Sequence, residues 1–471
     1  MFRTRVLKML GKRFGNSSVC MCNQSALNFE DIPSPKGLPF IGTRLAVWIA
    51  GSSKNLHEYV DKRHKELGPI YREQLGPITG TFVAEPDAIR SIFAQEGKYP
   101  VHIIPQAWVF FNEKYKFSRG LLFMNGPEWQ EHRRIMNKFL LRGNLRWIED
   151  ACDLVIENFI TKLKKNNEVL ENLENELYRT FLDVLVSVLM GSESYSKNNQ
   201  VLEQLVEYLS VHVSSVFETT SKLQMITVDL AAKLRLPQWS HFETSMKNAL
   251  FGANKLVDAL ALHCGNTNGL LRKMQEENIS KDQIKAIVAD LILAASDTTA
   301  YTMQWILYSI AKNLGVQERI RSEYGSPDSN YTRHVLKETL RLYPVAPFIT
   351  RYLPHESRIA GYKIPSNSLI VMSIYTTGRD EKYFKNALSF QPERWERSNE
   401  QMAMQQASLP FAIGSRSCIG RKLAEYELQK MLTEIVGNFS IELCNTKEVK
   451  MALKMIAVPS EPIRLKLTKI S

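Results

Sequence analysis

Phe411-Ala-Ile-Gly414-Ser-Arg416-Ser-Cys418-Ile-Gly420-Arg421-Lys422-Leu-Ala-Glu-Tyr-Glu427 sets one cysteine between two glycines, ahead of a run of good helix formers. A loop held open by glycines presents backbone N–H groups to the sulfur, and the following helix adds its positive end. Both effects favour the thiolate, the state that binds metal. Gly420 leaves room for a flat cofactor against the backbone. Arg416, two residues before the sulfur, is placed to meet an anionic group on that cofactor. A lone buried cysteine is the ordinary outcome for this residue type. A ten-residue pattern built around the sulfur argues against it here.

The rest of the chain is compatible with one large enzyme. Its 471 residues are 44% hydrophobic and 23% charged, an ordinary globular composition. The net charge of +11 is concentrated at the N-terminus, where Arg3, Arg5, Lys8, Lys12 and Arg13 precede the first acid, Glu30. The mild excess left over the remainder excludes a general nucleic-acid surface. Six scattered cysteines do not make a disulfide framework, and Cys20-Met-Cys22 lacks the partner pair of a zinc site. The first residues are basic and free of acids, and Phe2, Val6, Met9, Leu10 and Phe14 share a helical face. Such a segment reads as a mitochondrial transit peptide. No stretch approaches the ~20 apolar residues of a spanning helix; Leu38–Ala50 is short and interrupted by Arg44. We therefore expect residues 1–32 to be a transit peptide and extended lead-in, and 33–471 a single domain.

Residues 70–93 predict two short strands around Gly76-Pro77, then a helix opened by Glu85-Pro86-Asp87. From 127 to about 320 apolar residues recur at helical spacing, as in Leu177, Phe181, Leu182, Leu185, Val188 and Leu189. Short strands are expected at 358–375 and again before the C-terminus. The expected fold class is mainly α with small β-sheets, one helical domain and not a doubly wound one.

The segment 411–420 resembles the haem-binding loop of the cytochromes P-450, a likeness that extends from about residue 33 to the C-terminus. It implies a haem b cofactor whose axial ligand is the Cys418 thiolate, in a loop that also contributes Phe411, Gly414 and Gly420. Glu338-Thr-Leu-Arg341 resembles the family's E-x-x-R, with Arg394 as third member of a partly buried structural charge network. Trp129-Gln-Glu-His-Arg133 resembles its W-x-x-x-R. By the same likeness Trp129, Arg133, Arg351 and Arg416 would meet the haem propionates. Ala294-Ala-Ser-Asp297-Thr298-Thr resembles the oxygen-binding helix, here expected over 284–314. Thr298 would hydrogen-bond dioxygen or its ordered water, and Asp297 would feed protons to it. The family's glycine is replaced by Ala295, so the local opening of that helix is expected beside a methyl group. The connection between Glu323 and Leu336 is shorter than usual, and a small helix there is expected to be missing.

Arg421 and Lys422 resemble the basic pair of mitochondrial members. Arg333 and Lys337 match positions that bind an acidic, adrenodoxin-type ferredoxin, which implies that electron donor. Segments 101–118, 205–240, 286–299, 345–350 and 456–461 would wall a site for a large lipophilic substrate such as a steroid. Leu223–Trp239 is either an amphipathic contact with the inner mitochondrial membrane or a packed helix. The resemblance extends to the arthropod hydroxylases of ecdysteroid biosynthesis, with C-2 hydroxylation as the expected reaction. A haem-thiolate isomerase or dehydratase and a xenobiotic-oxidising mitochondrial monooxygenase are the alternatives. An isomerase has no need of a proton relay such as Asp297 and Thr298.

Overall fold

A capping box starts the helix around which the molecule is arranged. Ser280 Oγ accepts the Gln283 N–H, the Gln283 side chain accepts from the Ser280 N–H, and the helix runs Lys281–Ala311. It is buried on almost every side from Ser296 to Ile310, as a helix through the middle of a large domain must be. In this computed structural model residues 26–470 are described, apart from 39–41, 76–77, 118–119, 166–168, 171, 225, 264–267, 327–329 and 397–400. Residues 1–25 of the predicted transit peptide and lead-in, with Cys20 and Cys22, lie outside the described residues, as do Gly76 and Pro77.

The predicted helical stretch is filled by Gly126–Leu140, Arg146–Lys165, Leu173–Met190, Ser192–Leu223, Pro237–His263 and the central helix. Leu173–Met190 packs extensively on the central helix, and Arg421–Asn438 touches it as well. Small sheets sit at the periphery. One has strand order Ile70–Leu75, Ile78–Val83, Leu369–Ser373, Phe348–Tyr352, with the middle pair parallel and the outer pairs antiparallel. A second joins Val169–Leu170, Leu465–Lys469 and Phe439–Leu443. The class is mainly α with small sheets, as the periodicity required.

Three details differ from the sequence reading. Phe348–Tyr352 is a strand that the reading at 358–375 missed, and it carries Arg351 opposite Ile370. The central helix begins and ends three residues earlier, because Ser280 caps it and a new helix opens at Leu314. It also runs unbroken through Ala295: Thr298 Oγ1 donates back to the Ala294 carbonyl at 2.8 Å, so the hydroxyl is absorbed within the helix. Between Ser322 and Tyr331 no helix intervenes among the described residues, as expected.

Candidate functional site

The cysteine loop is shaped by its turns. Gly414 has φ +83°, a left-handed conformation open to glycine. A Cβ there would also collide with the Glu96 carboxylate. The Cys418 N–H donates to the Phe411 carbonyl at 2.9 Å and the Ser417 N–H to Gly414 at 3.2 Å, closing the loop on itself. Gly420 then serves as the N-cap of helix Arg421–Asn438. A Cβ on Gly420 would meet nothing within 4 Å, so no protein atom uses the room it leaves.

Cys418 keeps exposed surface on one side while the protein closes around the others. Burial pushes its thiol up, against the Gly420 N–H, Arg133 and Arg421, which pull it down. The expected loop and helix effects are present but do not prevail. A bound metal would fix the thiolate. On the central helix Ala294 is exposed and Thr298 half-buried, although Ile292, Leu293, Ser296 and Asp297 beside them are buried.

Three predicted cations gather at one edge of the loop. Arg133 bonds the Ser417 carbonyl at 2.5 Å and Asn137 at 2.9 Å. Arg416 donates to the carbonyls of Pro100 and Met124 and to Asn125, and lies over the Trp129 ring at 4.2 Å. Arg351 pairs with Glu96 at 2.6 Å. Burial, then the like charges of Arg351 and Arg133, lower Arg416 to about 10, and Glu96 alone opposes them. Among the described residues, Arg351 Nη2 and His102 Nε2 are buried without a partner. His102 is lowered to about 4 by burial and by Arg416 and Arg351. A buried cluster with one anion among several cations fits a dianionic group, and an uncovered cysteine beside an open glycine fits a flat metal-bearing one. The residues present therefore fit the haem.

Sequence reasoning missed Glu96 and His102. Glu96 holds Arg351 with one oxygen and the Ser415 N–H and hydroxyl with the other, joining sheet to loop. His102 follows Val101, which bridges to Tyr352 beside Arg351. Neither stands in a local motif. The Glu338 network is as predicted, and more deeply buried. Arg341 makes two bonds to Glu338 at 2.7 and 2.9 Å, Arg394 one at 2.9 Å, and the Trp395 indole another at 2.9 Å.

Arg333 is exposed and Lys337 half-buried over the Trp395 ring. Burial, then Arg333, lowers the Lys337 ammonium, with Arg421 adding to the effect and Glu425 opposing it. Predicted cations of two helices thus share one patch. Arg421 pairs with Glu425 at 2.9 Å, and Lys422 is exposed.

Behind the loop, Glu427 is buried and pushed up to about 8 by desolvation, opposed by the Thr299 hydroxyl. A raised carboxyl binds its proton more tightly when folded. Its contribution is complete below the ordinary value of 4.5 and is lost as pH rises through about 8, at up to ~1.4 kcal/mol per pH unit. Glu427→Gln is therefore expected to gain melting temperature relative to the parent between pH 5.5 and pH 8. An equal difference at both pH values in thermal unfolding would count against this.

The family profile for Cytochrome P450 matches residues 32–467. The chain is 36% identical to "Cytochrome P450 315a1, mitochondrial" of Drosophila melanogaster over 94% of its own length and 89% of that protein's. It is 27% identical to the horse "Cholesterol side-chain cleavage enzyme, mitochondrial" and 26% to the mouse "1,25-dihydroxyvitamin D(3) 24-hydroxylase, mitochondrial", each over 94% of this chain and 90% of the relative. A cysteine loop, a cation cluster and a match over nearly the whole chain agree: the chain belongs to the cytochrome P450 family and is a haem-thiolate monooxygenase.

Proposed function

We propose that this monooxygenase works in the mitochondrion, on the matrix side of the inner membrane, and hydroxylates a steroid with electrons from an adrenodoxin-type ferredoxin. The best specific reading is C-2 hydroxylation of an ecdysteroid precursor. The observation that carries the proposal is the near-full-length similarity to relatives named as mitochondrial, one of them a cholesterol side-chain cleavage enzyme. When bound, the haem supplies the reductive activation of dioxygen from which one oxygen atom enters the substrate. Cys418 would hold its iron. Arg133, Arg351, Arg416, Trp129 and His102 would hold its carboxylates. Thr298 and Asp297 would govern protons on the substrate side.

The ferredoxin would dock on Arg333, Lys337, Arg421 and Lys422, where charge sets encounter rate and orientation. With ferredoxin, its reductase and a 2-deoxyecdysteroid, the parent should form the 2-hydroxylated product. Arg333→Glu should raise the ferredoxin KM about tenfold at low salt, with little change in the steroid-induced spectral shift. Turnover supported by a diflavin reductase and not by ferredoxin would defeat the partner assignment, and product at another carbon would defeat the C-2 assignment.

Membrane contact is supported by exposed Leu45, Trp48 and Ile49 on helix Arg44–Ile49 and by Leu230 and Leu234 after helix Ser192–Leu223. Val228, Ala231 and Trp239 are buried, so the 223–239 stretch packs one face inward and shows the other. Hairpin Met451–Pro459 touches both the turn after Arg44–Ile49 and helix Ser192–Leu223, which brings the two apolar edges toward one region. No described helix is long and apolar enough to cross a membrane. Trp48→Asp combined with Leu234→Asp should abolish co-flotation with cardiolipin vesicles. Unchanged flotation would place the contact elsewhere.

A further inference from the structure

Asp297 has no visible source of protons in the functional reading above, yet its surroundings are unusual. It is 1% exposed and neither carboxylate oxygen has a partner among the described residues. Isolating a carboxylate from water this completely is costly unless it is protonated. Burial, then the nearby Glu174, push it up to about 8. The carboxyl is therefore a stored proton near neutral pH.

Helix Leu173–Met190 packs along the central helix at this level. Glu174 and Tyr178 are one turn apart on the first helix; Asp297 and Tyr301 are one turn apart on the second. Residues at that spacing share a face with ~5–6 Å between their Cβ atoms. The Tyr301 hydroxyl donates to Glu174 Oε1 at 2.8 Å. Tyr301 is itself buried, packed against Ala452, Val458 and Ile456, whereas Glu174 is only half-buried. The Tyr178 hydroxyl is buried near Asp297 and beside that of Ser296, and neither hydroxyl completes a hydrogen bond of ordinary geometry among the described residues. The charged and titratable neighbours are otherwise few. Glu218, from helix Ser192–Leu223, faces Tyr301 and is itself near Lys454. Glu427 lies beside Thr299, across the helix.

We propose that Glu174 and Tyr301 form the proton uptake route that recharges Asp297, leading from the edge of helix Leu173–Met190 into the centre of the domain. This rests on the reading of Asp297 as proton donor on the Thr298 side. Each proton leaving Asp297 is replaced by the O–H proton of Tyr301 after that hydroxyl turns from Glu174 toward the carboxyl one helical turn away. The Tyr301 oxygen takes one from the Glu174 carboxyl, which is recharged from solvent. One proton moves inward and no electron moves. Glu174 and Tyr301 are relay residues.

The test compares Glu174→Gln, Tyr301→Phe, their combination and Asp297→Asn with the parent. Turnover, product formed per oxygen consumed and the solvent deuterium isotope effect are measured with saturating ferredoxin. In parallel, the Asp297 carboxylic-acid band, assigned by its loss in Asp297→Asn, is followed by infrared spectroscopy against pH. Glu174→Gln and Tyr301→Phe should each lower coupled turnover about tenfold, within the range a positioned proton-transfer group contributes. The isotope effect should rise and steroid affinity should hold. The double variant should be no worse than the weaker single one. Glu174→Gln should also lower the Asp297 titration midpoint, because a negative neighbour has been removed.

Normal coupling and isotope effect in both single variants, beside a defective Asp297→Asn, would overturn the route and leave the reading of Asp297 intact. Normal coupling in Asp297→Asn would overturn both. Lost turnover with an unchanged isotope effect and an unchanged Asp297 midpoint would make the two residues structural and overturn the route.

Discussion

Glu338→Ala is expected to cost about 3–5 kcal/mol, the range for removing one partner of a buried ion pair, and to leave little folded protein. Glu338 is fully buried and is the carboxylate shared by Arg341 and Arg394. The same two oxygens accept from the Trp395 indole and the Gln391 N–H. Without them two guanidinium groups would face each other in a region with no water to compensate. Arg341 also donates to the carbonyls of Gly378, Ala387 and Ser389, so it cannot swing out to solvent without releasing the segment before the cysteine loop. Against a total stability of about 5–15 kcal/mol, the loss is large enough to show as failed expression or a steep fall in melting temperature. A Glu338→Ala protein unfolding within 1 kcal/mol of the parent would mean that the network is not the clamp its geometry describes.

The second large effect concerns the sulfur. Cys418→Ser preserves the loop's size and its backbone bonds, including the Cys418 N–H to Phe411. It replaces a group whose anion binds metal with a hydroxyl that stays protonated. The reduced, carbon-monoxide-bound spectrum should lose its thiolate signature, and haem content after purification should fall about tenfold or more, the scale on which losing a ligand contact acts. Because Arg133, Arg351 and Arg416 remain, the protein should still fold. Its cation cluster, left with Glu96 as its one anion, should lose thermal stability at low salt and recover as salt is raised. A serine variant that retains both pigment and signature would assign the ligand to another residue.

The readable part of this molecule is what lies close together in sequence. Gly414 to Gly420, Trp129 with Arg133 and Glu338 with Arg341 each span at most one or two turns, so residue types and spacing expose them. The long helices were legible for a similar reason, since one period repeats over many residues. Glu96 and His102 were not. Glu96 acts on Arg351 across 255 residues and on Ser415 across 319, and no local pattern marks either contact. Strand Phe348–Tyr352 was missed because its residues are half-buried on both faces, so the alternation that reveals a half-exposed strand is absent. The state of Cys418 failed for a different reason. Neighbours that favour the anion can be read from sequence, whereas the desolvation that opposes them depends on how densely the finished fold surrounds the sulfur.

The Glu96 clasp also bears on the order in which the protein is made. Glu96 follows helix Pro86–Gln95, and its two oxygens reach strand Phe348–Tyr352 and a loop emerging some three hundred residues later. Contacts so distant along the chain form late, after the loop-closure entropy has been overcome. The cradle for the pigment thus stays open until almost the whole polypeptide has left the ribosome. Cofactor capture belongs to the last stage of maturation, in whichever compartment folding is completed.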